Sequence, residues 1–297
     1  MLSALVMLCR KPNLVFGSRL AGAIVLPFVA LALAGCDPKA PASTVANVQT
    51  ETPVTLKSPA ASILQAPAPT LTRGDLVSAA GQAASAYAAG RALSSADPLV
   101  GRSFAVRIPF GCNGPASVEG PTAVTDGLAT WTWGPARKTI QLRMDPSDWT
   151  GSALLAKAGS LDKWEAVEGF WIPRPWLASE TCPVVASDPL QTSSIPASQQ
   201  TVGLAAVFER GGSRLGRRNG RAYEFTVRAK GEEPLSPPAG GFRMLLEGRV
   251  AAFPSGQAIE CRAPGPDQRP ICVIAVRLDR VAYEEASGST LSEWRPS

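Results

Sequence analysis

Histidine is absent from all 297 residues of this chain. Its absence removes Ser-His-Asp and Cys-His triads, histidine-ligated metals and imidazole acid–base chemistry together. Aromatic residues make up only 6%, with three tyrosines. Neither a phosphate loop nor a dinucleotide fingerprint occurs, so no cofactor is expected, and the cysteine spacings suit no metal site. Excess charge is scarce as well. The formal +5 shrinks to 26 basic against 24 acidic side chains once Arg10, Lys11 and Arg19 near the N-terminus are set aside. A chain built to neutralise many phosphates carries a larger and better segregated excess, so nucleic acid is not an expected partner. What is present is apolar residues, 45% of the chain. That suffices for a core in the roughly 225 residues that follow a non-globular N-terminal stretch.

Residues 1–35 combine scattered positive charge with a weakly polar to apolar run from Leu20 to Gly35, which ends in Leu33-Ala34-Gly35-Cys36. The run has 16 residues and contains Pro27, short of the ~20 that a bilayer crossing needs. This segment, and only this segment, resembles the type II signal peptide of bacterial lipoproteins. The resemblance implies cleavage before Cys36, a diacylglycerol on its sulfur, and membrane lipid as a partner through palmitate-type acyl chains. It also implies a periplasm-facing protein anchored at the bacterial cell membrane. Asp37 resembles the residue that retains lipoproteins at the inner membrane, which favours that membrane over the outer one. Each buried CH₂ contributes about 0.8 kcal/mol, so several acyl chains on one terminus make a lasting anchor.

Asp37 to Thr70 holds six prolines and seven alanines in 34 residues. Such a stretch buries too little surface to fold, and 36–71 reads as a disordered tether. As a flexible coil it spans about 30 to 35 Å, and as polyproline II about 100 Å. Thr72 and Asp75 then fit a capping box, with Leu76, Ala80, Ala83, Ala84 and Tyr87 on one face. This predicts an amphipathic helix over 72–92. From there the apolar period changes to two, as in Phe104, Val106, Ile108 and Phe110, or Ile140, Leu142 and Met144. The expected fold is mainly β, antiparallel, of sandwich or barrel type. The Ser-, Pro- and Gln-rich stretch 186–200 reads as a linker or surface loop between a first β module, 97–185, and a second, 201–297. Alternatively, both stretches form one two-layer domain. Setting aside Cys9 in the signal and Cys36 leaves four cysteines, and an even number in an exported chain reads as disulfides. The expected pairs are Cys112 with Cys182 and Cys261 with Cys272, one on each side of the linker.

Three constellations carry functional signals. Six of the seven tryptophans, with Asp145, Asp148, Asp162, Glu165 and Glu168, fall between Trp131 and Trp176. Aromatic faces stack on sugars and paired carboxylates cleave glycosidic bonds, although a core role for the tryptophans and a solvated loop for the acids is the stronger reading. In Pro173-Arg174-Pro175-Trp176 the prolines favour an extended edge that presents Arg174 and Trp176 as a contact. Arg210, Arg214, Arg217, Arg218, Arg221 and Arg228 lie within 19 residues around Asn219-Gly220. That dipeptide predicts a two-residue hairpin turn whose cationic tip, Arg214, Arg217, Arg218 and Arg221, meets an anionic envelope component or a protein partner. The bland alternative is a solubilising charge cluster. The overall expectation is a non-catalytic, membrane-anchored lipoprotein with a binding or scaffolding role, neither enzyme nor metalloprotein. The alternative is a carboxylate-dependent cell-wall glycan hydrolase or glycan-binding module.

Overall fold

A computed structural model describes residues 68–91, 97–116, 126–184, 200–214, 216–229, 231 and 235–295. The signal segment, Cys36, the tether up to residue 67 and nearly all of 186–200 lie outside the described residues. Helix α1 (Arg73–Ala88) precedes eleven strands among the described residues: β1 (Ser103–Phe110), β2 (Ala129–Trp133), β3 (Thr139–Met144), β4 (Ser147–Asp148), β5 (Trp164–Trp171), β6 (Val202–Glu209), β7 (Tyr223–Arg228), β8 (Phe242–Val250), β9 (Ile259–Arg262), β10 (Ile271–Glu285) and β11 (Thr290–Trp294). Among the described residues the fold is mainly β with a single α-helix. Eight strands form one sheet, ordered β1-β8-β10-β6-β5-β4 with β9 and β11 also on β10, and three form a second, β2-β3-β7.

The division into two β modules gives way to the alternative, one β domain. β1 of the first stretch pairs with β8 of the second, β5 pairs with β6, and β3 pairs with β7. The chain from Leu64 onward is one compact unit. The organiser is β10. Its first half lies between β6, in a parallel pair, and β9, while its second half lies between β8 and β11. The register against β8 shifts between Leu278 and Arg280, a bulge that re-aims the strand as it changes neighbours.

Two cores use the two faces of the large sheet. One lies between the sheets and contains Phe104, Trp131, Leu142, Phe170, Phe242 and Tyr283. The other holds Trp149, Leu155, Trp164, Val207, Phe253 and Val273. Strands buried on both faces lose alternation, which explains the apolar run Val202 to Val207. Gly169 and Gly203 make room for Trp149. A Cβ at these positions would stand 2.1 and 2.6 Å from its indole, so only glycine allows the ring to lie against the sheet.

Helix α1 begins as its capping box requires. Thr72 Oγ1 accepts from the Asp75 N–H, and the Asp75 carboxylate accepts from the Thr72 N–H at 2.8 Å. Its buried Leu76, Ala80 and Ala83 are small enough for close packing near β9 and β10. Cys112 and Cys182 are disulfide-bonded, as are Cys261 and Cys272. The second pair joins directly opposed residues of β9 and β10. The first ties the segment after β5 to the end of β1, where Glu180 accepts from the Arg107 N–H at 3.4 Å and pairs with the Arg107 guanidinium. The outer edge of β1 is thereby covered near Arg107, while Leu71, the last residue of the stretch read as tether, is buried and bridges the same edge at Phe104.

Candidate functional site

The Asn219-Gly220 turn forms, with φ of 53° and 76° and an Arg221 N–H to Arg218 carbonyl bond of 3.0 Å. It is not a hairpin tip. β6 and β7, the strands on either side, belong to different sheets, so the turn caps a connection between layers. The arginines around it are correspondingly not free. Both the Arg218 and Asn219 N–H groups donate to one oxygen of Glu168, at 2.8 and 2.9 Å. Successive N–H groups aimed at one anion form a nest, here filled by the protein's own carboxylate. Glu168 is buried, and desolvation raises its pKa against the opposing pull of these bonds and of Arg217 and Arg218. Glu165, three residues earlier on β5, pairs with Arg214 at 3.0 Å and Arg217 at 2.6 Å.

Arg218 and Arg221 differ from these. The Arg218 guanidinium lies 4.6 Å over the Tyr223 ring and donates to the Arg221 and Ala222 carbonyls. Arg221 Nε donates to the Arg218 carbonyl at 3.2 Å. Among the described residues neither forms an ion pair with a carboxylate. Facing them is Arg280, beside the β10 bulge, held by Glu247 at 3.1 Å and Glu293 at 2.8 Å. Glu293 also binds Arg295 at 3.2 Å. Between these groups lies a cleft of about 340 Å³, lined by Arg217, Arg218, Arg221, Arg280 and Arg295 with Glu293 as the sole acid. Its apolar wall includes Tyr223 and Trp294, whose rings meet edge to face at 5.1 Å. Sequence reasoning found three of the five arginines. Arg280 and Arg295 lie far along the chain, and their signal was a charged interruption of an apolar strand and of the strand end beside it.

The second predicted contact lies elsewhere. Arg73, 1% exposed, donates to the carbonyls of Pro173 at 2.6 Å, Arg174 at 3.2 Å and Leu177 at 3.1 Å. Burial pushes its pKa down to about 10, so it stays charged at neutral pH. The segment it pins is not the extended edge that the prolines suggested: Arg174 has a φ of 51°. Trp176 is 57% exposed there, while Arg174 points a guanidinium nitrogen at Cys112 Sγ, 3.8 Å away, and lines a separate cavity beside Trp131.

The tryptophans do not form an exposed platform. Trp131, Trp149 and Trp164 are buried, Trp133 and Trp171 half-buried. Each of the five acids has its own protein partner. Asp145 pairs with Arg143, Asp148 accepts from the Thr150 N–H, Asp162 accepts from Ser160 Oγ, and Glu165 and Glu168 hold the arginine segment. Among the described residues no cluster of acids or cysteines has the geometry of a metal site. No family model matches the chain, and no curated protein or solved structure is significantly similar to it.

Proposed function

We propose that this chain is a non-catalytic, lipid-anchored envelope protein of the bacterial cell membrane. Its β domain stands off the periplasm-facing surface on the tether and binds an anionic envelope component or partner. The observation that carries the reading is a folded body with two disulfides downstream of the Leu33-Ala34-Gly35-Cys36 signal. Disulfides persist in the oxidising space outside the cytoplasm, so fold and signal point to one compartment from independent chemistry. Asp37 favours the inner membrane.

Replacement of Cys36 by alanine tests the anchor. The variant is expected to lose lipid labelling and either leave the membrane fraction or accumulate as an uncleaved precursor. Normal processing with unchanged labelling would refute the reading. One observation favours a second reading, glycan binding: Trp176, exposed on a segment pinned by Arg73. Sugar stacking there would be nearly insensitive to salt and lost in Trp176→Ala. Arginine-mediated binding would weaken with salt, because exposed charges are screened over about 8 Å at 0.15 M.

A further inference from the structure

We propose that the cleft between the 216–223 segment and the β10–β11 pair is a subsite for a phosphate group, with Arg218 and Arg221 as its principal ligands and Arg280 and Arg295 facing them. This deepens the anionic-partner reading above and rests on it for biological meaning, though not for its chemistry. The first argument is charge. Five guanidinium groups and one carboxylate line a concavity of about 340 Å³. Acids beyond the lining neutralise part of this, Glu165 for Arg217 and Glu247 for Arg280, while Glu293 is divided between Arg280 and Arg295. Arg218 and Arg221 have only carbonyl oxygens as hydrogen-bond acceptors. A guanidinium offers five N–H groups in a planar fork. The Arg218 Nη1 and both Nη groups of Arg221 therefore have no protein acceptor among the described residues.

The second argument is rigidity. Arg218 is stacked on Tyr223, Arg221 is tied back to the Arg218 carbonyl, and the turn that carries both is clasped by Glu168. Guanidinium groups held in place before binding lose little freedom when an anion arrives. The third argument is the kind of anion. Several arginines converging from two sides suit a compact group with three or four oxygens and up to two negative charges, and their forks match its geometry. A single carboxylate would use one fork. The size of the cleft admits a phosphate with a small ester substituent, and half-buried Trp294 in its wall gives that substituent an apolar surface. A phospholipid headgroup and a soluble phosphate ester share this chemistry.

The test uses the mature chain as purified from whichever fraction contains it, in neutral detergent, titrated calorimetrically with inorganic phosphate and with glycerol phosphate. Binding is expected to weaken as salt rises and to be at least about tenfold tighter than acetate binding. Arg221→Gln and Arg295→Gln alter exposed side chains, and both variants are expected to fold normally. Arg221→Gln should weaken phosphate by about tenfold or more and Arg295→Gln by less. Arg228→Gln, outside the cleft, should leave binding unchanged. Repeating the titration in micelles doped with phosphatidylglycerol, against phosphatidylcholine as control, separates the sources. Selective loss of soluble-phosphate binding in the anionic micelles marks a headgroup site, and its retention marks a soluble ester. Phosphate no tighter than acetate, or affinity unchanged in Arg221→Gln, would overturn the subsite. Neither result depends on the anchor, which the Cys36→Ala fractionation judges separately.

Discussion

Glu168 is a carboxylate that the fold both uses and penalises. It fills the nest made by the Arg218 and Asn219 N–H groups, yet burial raises its pKa above the ordinary glutamate value of 4.5. A raised carboxyl pKa means that the folded chain holds the proton more tightly than the unfolded one. Its contribution to stability is therefore fully present below the unfolded pKa and lost as pH rises through the folded value. Glutamine keeps an acceptor for both N–H groups without the charge. Urea unfolding should accordingly show Glu168→Gln at least as stable as the parent at pH 7.5, with that advantage disappearing towards pH 4. Glu168→Ala should instead lose about 1 kcal/mol or more, because two partly buried N–H donors lose their acceptor. A Gln variant destabilised as much as the Ala variant at pH 7.5 would contradict this account.

Among the elements, strands with one face in a core announced themselves. The alternation of Phe104, Val106, Ile108 and Phe110 became β1, and that of Ile140, Leu142 and Met144 became β3. β5 was not legible. Its sequence Trp-Glu-Ala-Val-Glu-Gly-Phe-Trp places two glutamates in a strand that is largely buried, and sequence alone reads such acids as solvated loop. They are tolerated because the arginine segment from beyond β6 comes back to bind them, a partnership between residues about 50 positions apart. The Asn219-Gly220 signal illustrates the converse. Local sterics dictate the turn, but not which strands flank it, and here the neighbours are in different sheets. The Cys261–Cys272 bond was legible because its partners sit in two strand-like runs separated by a proline-rich loop. Replacing both by serine should lower the unfolding free energy by about 3 kcal/mol, the chain-entropy value for so short a loop. A change below about 1 kcal/mol in denaturant unfolding would show that the β9–β10 ladder suffices alone.

At the scale of the molecule, residues 186–200 punctuate the sequence without dividing the fold. Neither disulfide bridges that stretch, since Cys112 and Cys182 precede it and Cys261 and Cys272 follow it. Proteolytic cleavage within 186–199 should therefore leave two pieces that coelute on native gel filtration, held by the β1–β8, β5–β6 and β3–β7 ladders. They should separate in denaturant even without reductant. Pieces that part under native conditions would restore the two-module description. The dependence of four other strands on β10 has a temporal side. Synthesis from the N-terminus delivers β1, β5, β6 and β8 before residues 271–285 emerge. Until then β6 and β8 each present an unpaired ladder edge, the kind of surface that recruits strays from neighbouring chains. Completion must wait for the late arrival of one strand, which makes the interval before residues 271–285 emerge, rather than the finished fold, the stage at which this chain is most exposed to stray pairing.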